Sequence, residues 1–189
     1  MNNDKPLTLM RFDPALGTAL KFNQDDLQAN RVGGITDRQR TAIYSQMLAS
    51  AGKGLLIGFI GLVIFLIAFA AEGPVYHTII NGDVVIRETI PANVPVIAAA
   101  GLLLILGLVI SISMLFYAWR LRQDLKAGKV TTVNGSLTTG RNLRGAYIQV
   151  NGIQFRVNQV AVQSFQAEKA YMLYYVPHSK RILSAELVG

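Results

Sequence analysis

Residues 54–71 read GLLIGFIGLVIFLIAFAA, and residues 95–119 read PVIAAAGLLLILGLVISISMLFYAW. Neither stretch contains a charged residue or a histidine. The first has twelve Leu, Ile, Val or Phe residues, each worth roughly −0.3 to −0.6 kcal/mol on the biological insertion scale, so insertion gains about 5 kcal/mol. As a helix it is about 27 Å long, close to the ~30 Å hydrocarbon core of a bilayer. The two stretches therefore predict a transmembrane helical hairpin.

The ends of both helices also carry signals. Lys53 can extend towards the interface and let the first span begin earlier. Pro95 suits a first helical turn, and Tyr117 and Trp119 lie where an interfacial aromatic belt is expected. The second helix is predicted to continue to about residue 127 and to end at Gly128, a typical C-cap residue.

Lysine and arginine are distributed very unevenly around the two spans. Seven precede the first span, one lies in the link over residues 72–94, and ten follow from residue 120 onward. The positive-inside rule therefore predicts an inner-membrane, multi-pass protein with both termini in the cytoplasm and an extracytoplasmic link.

Small residues recur at helical spacing within the spans. They are Gly54, Gly58, Gly61, Gly107 and Ser111. Such residues allow close approach of helix backbones. They indicate either association with another membrane subunit or packing of the two helices against each other, and the spacing can also arise by chance because such pairs are common in spans.

The segment before the membrane divides into two parts. Residues 1–35 are interpreted as a flexible arm with one short helix that begins at an Asn23 N-cap. Residues 36–53 predict an amphipathic helix whose capping box is Thr36 with Gln39. This helix either lies along the inner leaflet or extends straight and packs on the C-terminal domain.

Asn-Gly pairs predict hairpins on both sides of the second span. Asn81-Gly82 lies between two β-prone runs of the link. In the C-terminal segment, Asn151-Gly152 sets Val150 opposite Ile153 and Ile148 opposite Phe155, which places the apolar residues on one face.

A second C-terminal hairpin is predicted around a turn over residues 177–180. Its register sets Tyr174 opposite Leu183. Residues 159–165 fit either a strand or a helix. Five or six short strands over residues 129–189 favour a small antiparallel β-barrel of the OB or SH3 type, so the fold class is membrane α + β.

Two spans followed by GAYIQVNGIQFRV, in the pattern GxxxxxNGxxFRV, and then by a strand pair near the end resemble bacterial membrane proteins with an NfeD-like C-terminal barrel. The resemblance covers about a third of the chain. It implies a scaffold or interaction role beside other membrane proteins and transfers no site residues.

Composition excludes several kinds of chemistry. The chain has no cysteine, which excludes disulfides, iron–sulfur clusters and cysteine-based zinc sites, and no cofactor is expected. The pI near 9.9 follows from the positive-inside pattern, so nucleic acid is not expected as a partner. His178-Ser179 with Glu186 is the only trace of a hydrolase set, and adjacent turn residues rarely form one. We expect no enzyme activity.

The best candidates for an interaction surface lie beside the first C-terminal hairpin. They are Arg141, Arg144, Tyr147 and Arg156. A solvated basic face is the simpler interpretation of the same residues.

These features favour a non-enzymatic accessory subunit or scaffold of a membrane protein complex. Its expected partners are membrane lipid, other integral membrane subunits or a second copy of the chain. The alternative is a regulatory membrane protein whose basic domain binds anionic lipid or a small ligand.

The topology can be tested directly. Reporter tags fused to the two ends should both report the cytoplasm, and alkaline carbonate should leave the protein in the membrane pellet, because both follow from two spans with basic flanks. Tags that report opposite compartments would contradict the hairpin.

Overall fold

The computed structural model describes residues 12–70, 75–81, 84–90, 94–142, 145–166 and 169–188. For residues 75–81, 84–90 and 94 it describes the backbone only. The chain divides into two compact units. The polar unit combines residues 1–46 with residues 119–189, and the apolar unit comprises residues 47–118.

The elements follow one another in this order: α1 Pro14–Leu20, α2 Gln24–Arg31, α3 Asp37–Ala70, β1 Val75–Asn81, β2 Val84–Ile90, α4 Val94–Ala127, β3 Thr131–Asn142, β4 Gly145–Val150, β5 Ile153–Arg156, α5 Gln159–Ser164, β6 Ala170–Val176 and β7 Arg181–Val188.

Two 34-residue helices, α3 and α4, dominate the apolar unit. Each contains an 18-residue window long and apolar enough to cross a membrane, with mean hydropathy 2.5 and 2.7, and only 11% of each window is buried. The predicted juxtamembrane helix and first span are therefore one continuous helix. The capping box that starts it is present: Gln39 N donates to Thr36 Oγ1 at 3.2 Å and Thr36 N to Gln39 Oε1 at 3.4 Å.

The small residues of the two apolar helices lie where α3 and α4 pack against each other. Ser111 Oγ donates to the carbonyl of Gly54 at 2.7 Å. A Cβ added to Gly58 would lie 3.1 Å from Ser111 Oγ, and one added to Gly107 would lie 3.7 Å from the carbonyl oxygen of Ile57. Gly61 lies against Leu104. Of the interpretations of these residues, the contacts between α3 and α4 support intramolecular packing.

The link contains the predicted hairpin. Strands β1 and β2 pair antiparallel, and Asn81 opposite Val84 closes the ladder. The register is that expected of a two-residue connection.

The polar unit contains a five-stranded antiparallel sheet in the order β5-β4-β3-β6-β7. Strand β3 pairs through residues 131–136 with β6 and through residues 137–142 with β4. The change occurs next to Gly135, whose φ is +153°.

The predicted barrel is wrong, because this sheet is open: β5 and β7 are its outer strands. Its apolar face is covered by helices, whereas in a barrel further strand pairing would close the sheet. Leu16, Phe22 and Leu27 from the N-terminal segment, with Phe165, join the same core as the sheet residues.

The first C-terminal hairpin has the predicted register. Val150 pairs with Ile153 and Ile148 with Phe155. Asn151 and Gly152 both have positive φ, +48° and +77°, as a type I′ turn requires. Ile148, Val150 and Phe155 are fully buried, so the predicted inner face is confirmed.

The second hairpin departs from the predicted register. Tyr175 pairs with Ile182, as that register requires, but Tyr174 pairs with Ser184 rather than with Leu183. A β-bulge between Tyr174 and Tyr175 inserts Leu183 as an extra residue on β7. A one-residue insertion of this kind has no turn signal in the sequence.

Helices occupy two segments that the sequence left open or described as flexible. The N-terminal segment has two helices rather than one, and Asp13 caps the additional helix α1 through Ala15 N at 2.8 Å. Residues 159–164 are helical, and Asn158 Oδ1 accepts from Ala161 N at 2.6 Å.

A substitution that adds one methyl group tests the Asn151-Gly152 turn. Gly152→Ala should lower the free energy of unfolding by about 1 kcal/mol, because a Cβ at positive φ is strained although nothing lies within 4 Å of it. Gly52→Ala is the control: its Cβ also has open space, and its φ is not positive. Urea unfolding of the full chain in detergent measures both. Equal effects of the two substitutions would contradict the turn assignment.

Candidate functional site

A buried polar cluster joins α2 to β7. The carboxylate of Glu186, fully buried, accepts from Tyr174 Oη at 2.5 Å and from Arg31 Nε at 3.2 Å, and forms an ion pair with the same guanidinium. Two residues before Glu186 on β7, Ser184 Oγ accepts a hydrogen bond from Asn30 Nδ2 at 2.7 Å. Both contacts tie the N-terminal segment to the last strand.

The environment of the cluster raises the pKa values of Tyr174 and Arg31. Burial raises the pKa of Tyr174, and the hydrogen bond to the Glu186 carboxylate raises it further. The hydrogen bond to Glu186 also raises the pKa of Arg31. Tyr174 is therefore a neutral phenol and Arg31 a guanidinium cation over the physiological range.

A second buried carboxylate organises the turn between α2 and α3. Asp26 accepts from Asn23 N at 3.1 Å, accepts from Thr36 Oγ1 at 2.5 Å and forms an ion pair with Arg38. Burial acts to raise its pKa, but the hydrogen bonds from Arg38, Thr36 and Asn23 outweigh it, so the pKa of Asp26 is lowered. Asp26 therefore stabilises this corner as a carboxylate.

The turn after β6 is held by the end of α4. The Asp124 carboxylate accepts from His178 N and Ser179 N, both at 2.8 Å. Ser179 Oγ is buried and has no hydrogen-bond partner among the described residues. In the hydrolase set considered from sequence, Glu186 bonds to Arg31 and Tyr174, and the described contacts include none that joins it to His178 or Ser179.

The predicted interaction surface is only partly assembled. Tyr147 and Arg156 are cross-strand partners on the outer face of the sheet. A Cβ on Gly140 would overlap the Tyr147 ring, so the ring covers that glycine. Arg141 pairs with Ala146 and is on the opposite face. Arg144 is outside the described residues.

A basic groove, which sequence reasoning missed, lies in the polar unit between α1, the start of α3 and β7. Its volume is about 240 Å³. Its cationic lining residues are Lys21, Arg38 and Arg181. Among the described residues, no group of three or more His, Asp or Glu side chains could hold a metal ion.

Sequence signals for the buried clusters exist but are incomplete. Glu186 is one of only three acids after residue 119 and lies in a strand of mainly apolar residues, which signals that it needs a buried partner. Nothing in the sequence indicates that the partner is Arg31, 155 residues away.

No protein family, curated protein or solved structure matches this chain. The likeness to NfeD-like proteins is therefore one of architecture, two apolar helices followed by an antiparallel β-domain, and the open sheet fits it loosely.

The lowered pKa of Asp26 gives a prediction for acid stability. Its contribution is fully present above the unfolded pKa, near 3.8, and is lost as the pH falls through the lower folded pKa. Asp26→Asn should therefore reduce stability at pH 7 and flatten the loss of stability below about pH 4.

Arg38→Gln should also reduce stability at pH 7 and flatten the loss of stability in acid, because the Arg38 guanidinium is one cause of the lowered pKa of Asp26. Thermal unfolding of the full chain between pH 2 and pH 7 measures both effects. If the stability of Asp26→Asn falls below pH 4 as steeply as that of the unchanged chain, Asp26 does not stabilise the fold as a carboxylate.

Proposed function

We propose that the chain is a non-enzymatic integral membrane protein that acts as an accessory subunit or scaffold of a membrane protein complex. The observation that supports it best is the division of the chain. Two largely unburied apolar helices interrupt a polar domain that is built from both flanking segments. An anchored, folded domain of this kind suits a protein that holds a partner at a membrane.

The shared core also bears on topology. Leu16, before the first apolar helix, and Leu173, after the second, belong to one cluster. If both helices cross a membrane, these segments must lie on the same side. This agrees with the positive-inside pattern and supports cytoplasmic placement of both termini at the inner membrane.

The proposed contact with the partner is the outer face of β4 and β5. Tyr147 is half-buried over Gly140 and is thereby held in place, and Arg156 beside it is exposed. Tyrosine and arginine are enriched among the residues that dominate binding energy. An acidic cytoplasmic surface of another membrane protein would complement this pair.

The small residues of the spans are not assigned to the partner. They already pack α3 against α4. The exposed Leu, Ile and Phe side chains of both helices, such as Leu55, Phe59 and Leu102, are assigned to lipid. The NfeD-like resemblance points to a similar scaffold role.

The proposal is tested by purification of the tagged full chain in mild detergent. We expect a stoichiometric companion membrane protein that is lost in the double variant Tyr147→Ala with Arg156→Ala, because tyrosine and arginine are enriched among the few interface residues whose truncation costs about 2 kcal/mol or more. Intact chain that elutes alone would contradict the proposal.

Lys169→Ala is the matched control, because Lys169 is also an exposed cation of the polar unit but lies outside the β4–β5 pair. It should retain the companion. A companion that is another copy of the same chain would assign the face to a homo-oligomer.

A further inference from the structure

Met172 brings a thioether against the buried polar cluster of β6 and β7. Its Sδ lies 3.2 Å from Tyr174 Oη, and the residue is the direct cross-strand partner of Glu186. Met172 is half-buried, whereas Tyr174 and Glu186 are both buried. A side chain that is partly open to solvent therefore contacts the cluster that ties α2 to β7.

Methionine carries all the sulfur of this chain, because there is no cysteine. Of the three methionines in the described ranges, Met47 and Met114 belong to the apolar unit and Met172 to the polar unit. A thioether can be oxidised reversibly to a sulfoxide, which converts an apolar side chain into a polar one. In the described part of the polar unit, reversible sulfur oxidation is therefore confined to Met172.

The phenol of Tyr174 has one hydrogen and two neighbours that can accept it. The Glu186 carboxylate is charged and its Oε1 is the nearer atom, at 2.5 Å, so it takes the hydrogen bond. A thioether is a weak acceptor and does not compete for this hydrogen. With the sulfur reduced, Glu186 therefore keeps both Tyr174 and Arg31 as partners.

We propose that Met172 is a site of reversible oxidation whose sulfoxide loosens the attachment of α2 to β7. A hydroperoxide is the oxidant: its O–O bond breaks, an S–O bond forms at Sδ, the sulfur loses two electrons and, with hydrogen peroxide, water leaves. A dithiol reverses the step and yields the thioether, a disulfide and water. The residues involved are not those of the proposed partner face, so either proposal can fail alone.

The sulfoxide changes the hydrogen bonding of the cluster. Its oxygen is an acceptor that the thioether lacks, and it competes with Glu186 for the hydrogen of Tyr174. It also places a negative end of a dipole next to a buried carboxylate. Loss of a partner is unfavourable for a buried charge. Because Arg31 of α2 bonds to Glu186, the penalty weakens the attachment of α2.

Peroxide treatment of the full chain in detergent tests the site. Mass spectrometry locates the sulfoxides, and hydrogen exchange measures the protection of the α2 amides. We expect a sulfoxide at Met172 and about tenfold faster exchange of α2, as for one lost hydrogen bond to a charged group. Protection of the β4–β5 hairpin should not change. A methionine sulfoxide reductase supplied with a dithiol should restore the protection of α2.

Two leucine substitutions separate Met172 from the other methionines. Met172→Leu keeps an apolar side chain of similar volume, and its α2 protection should not respond to peroxide. Met47→Leu is the matched control, because it removes a half-buried methionine of the apolar unit. It should respond to peroxide as the unchanged chain does.

Three results would overturn the proposal. They are a Met172 that stays reduced while a methionine peptide in the same solution is oxidised, a Met172 sulfoxide with unchanged α2 exchange, and faster exchange that persists in Met172→Leu. If thermal unfolding shows that Met172→Leu is misfolded, partial oxidation of the unchanged chain decides. The exchange of α2 must then follow the fraction of sulfoxide at Met172 and not that at any other methionine.

Discussion

Burial of three N-terminal side chains on the C-terminal sheet is the contact on which the polar unit depends. Leu16, Phe22 and Leu27 are 0%, 4% and 2% exposed, in one core with the residues of β3 to β7. Full burial of such side chains contributes roughly 1.5–3 kcal/mol each, as an upper estimate. A five-stranded open sheet of this size needs a second layer, and the N-terminal helices provide it.

The buried polar contacts give this packing a single register. Burying Glu186 costs desolvation energy that its ion pair with Arg31 offsets only when the geometry is good. Hydrophobic packing alone would tolerate a helix that slides along β7. The contacts of Glu186 with Arg31 and of Ser184 with Asn30 fix α2 at one place along the strand. We interpret their role as specificity of packing rather than net stability.

The sequence predicted what depends on local signals and failed where distant segments meet. Helix caps at Asn23 and Thr36, the type I′ turn at Asn151-Gly152 and both apolar helices are local, and the structure contains each. The open sheet was missed because closure depends on what covers the apolar face, and the covering helices lie more than 100 residues earlier. The bulge at Leu183 was missed because a one-residue insertion leaves no turn signal in the sequence. The basic groove was missed because it is formed by segments that are far apart in the chain.

The turn over residues 177–181 joins the ends of both long helices within the polar unit. Asp124 near the end of α4 accepts two of its backbone N–H groups, and Arg181 bonds to Ala42 and Gln46 of α3. A shift of either helix end relative to the other must therefore break one set of these bonds or move the hairpin.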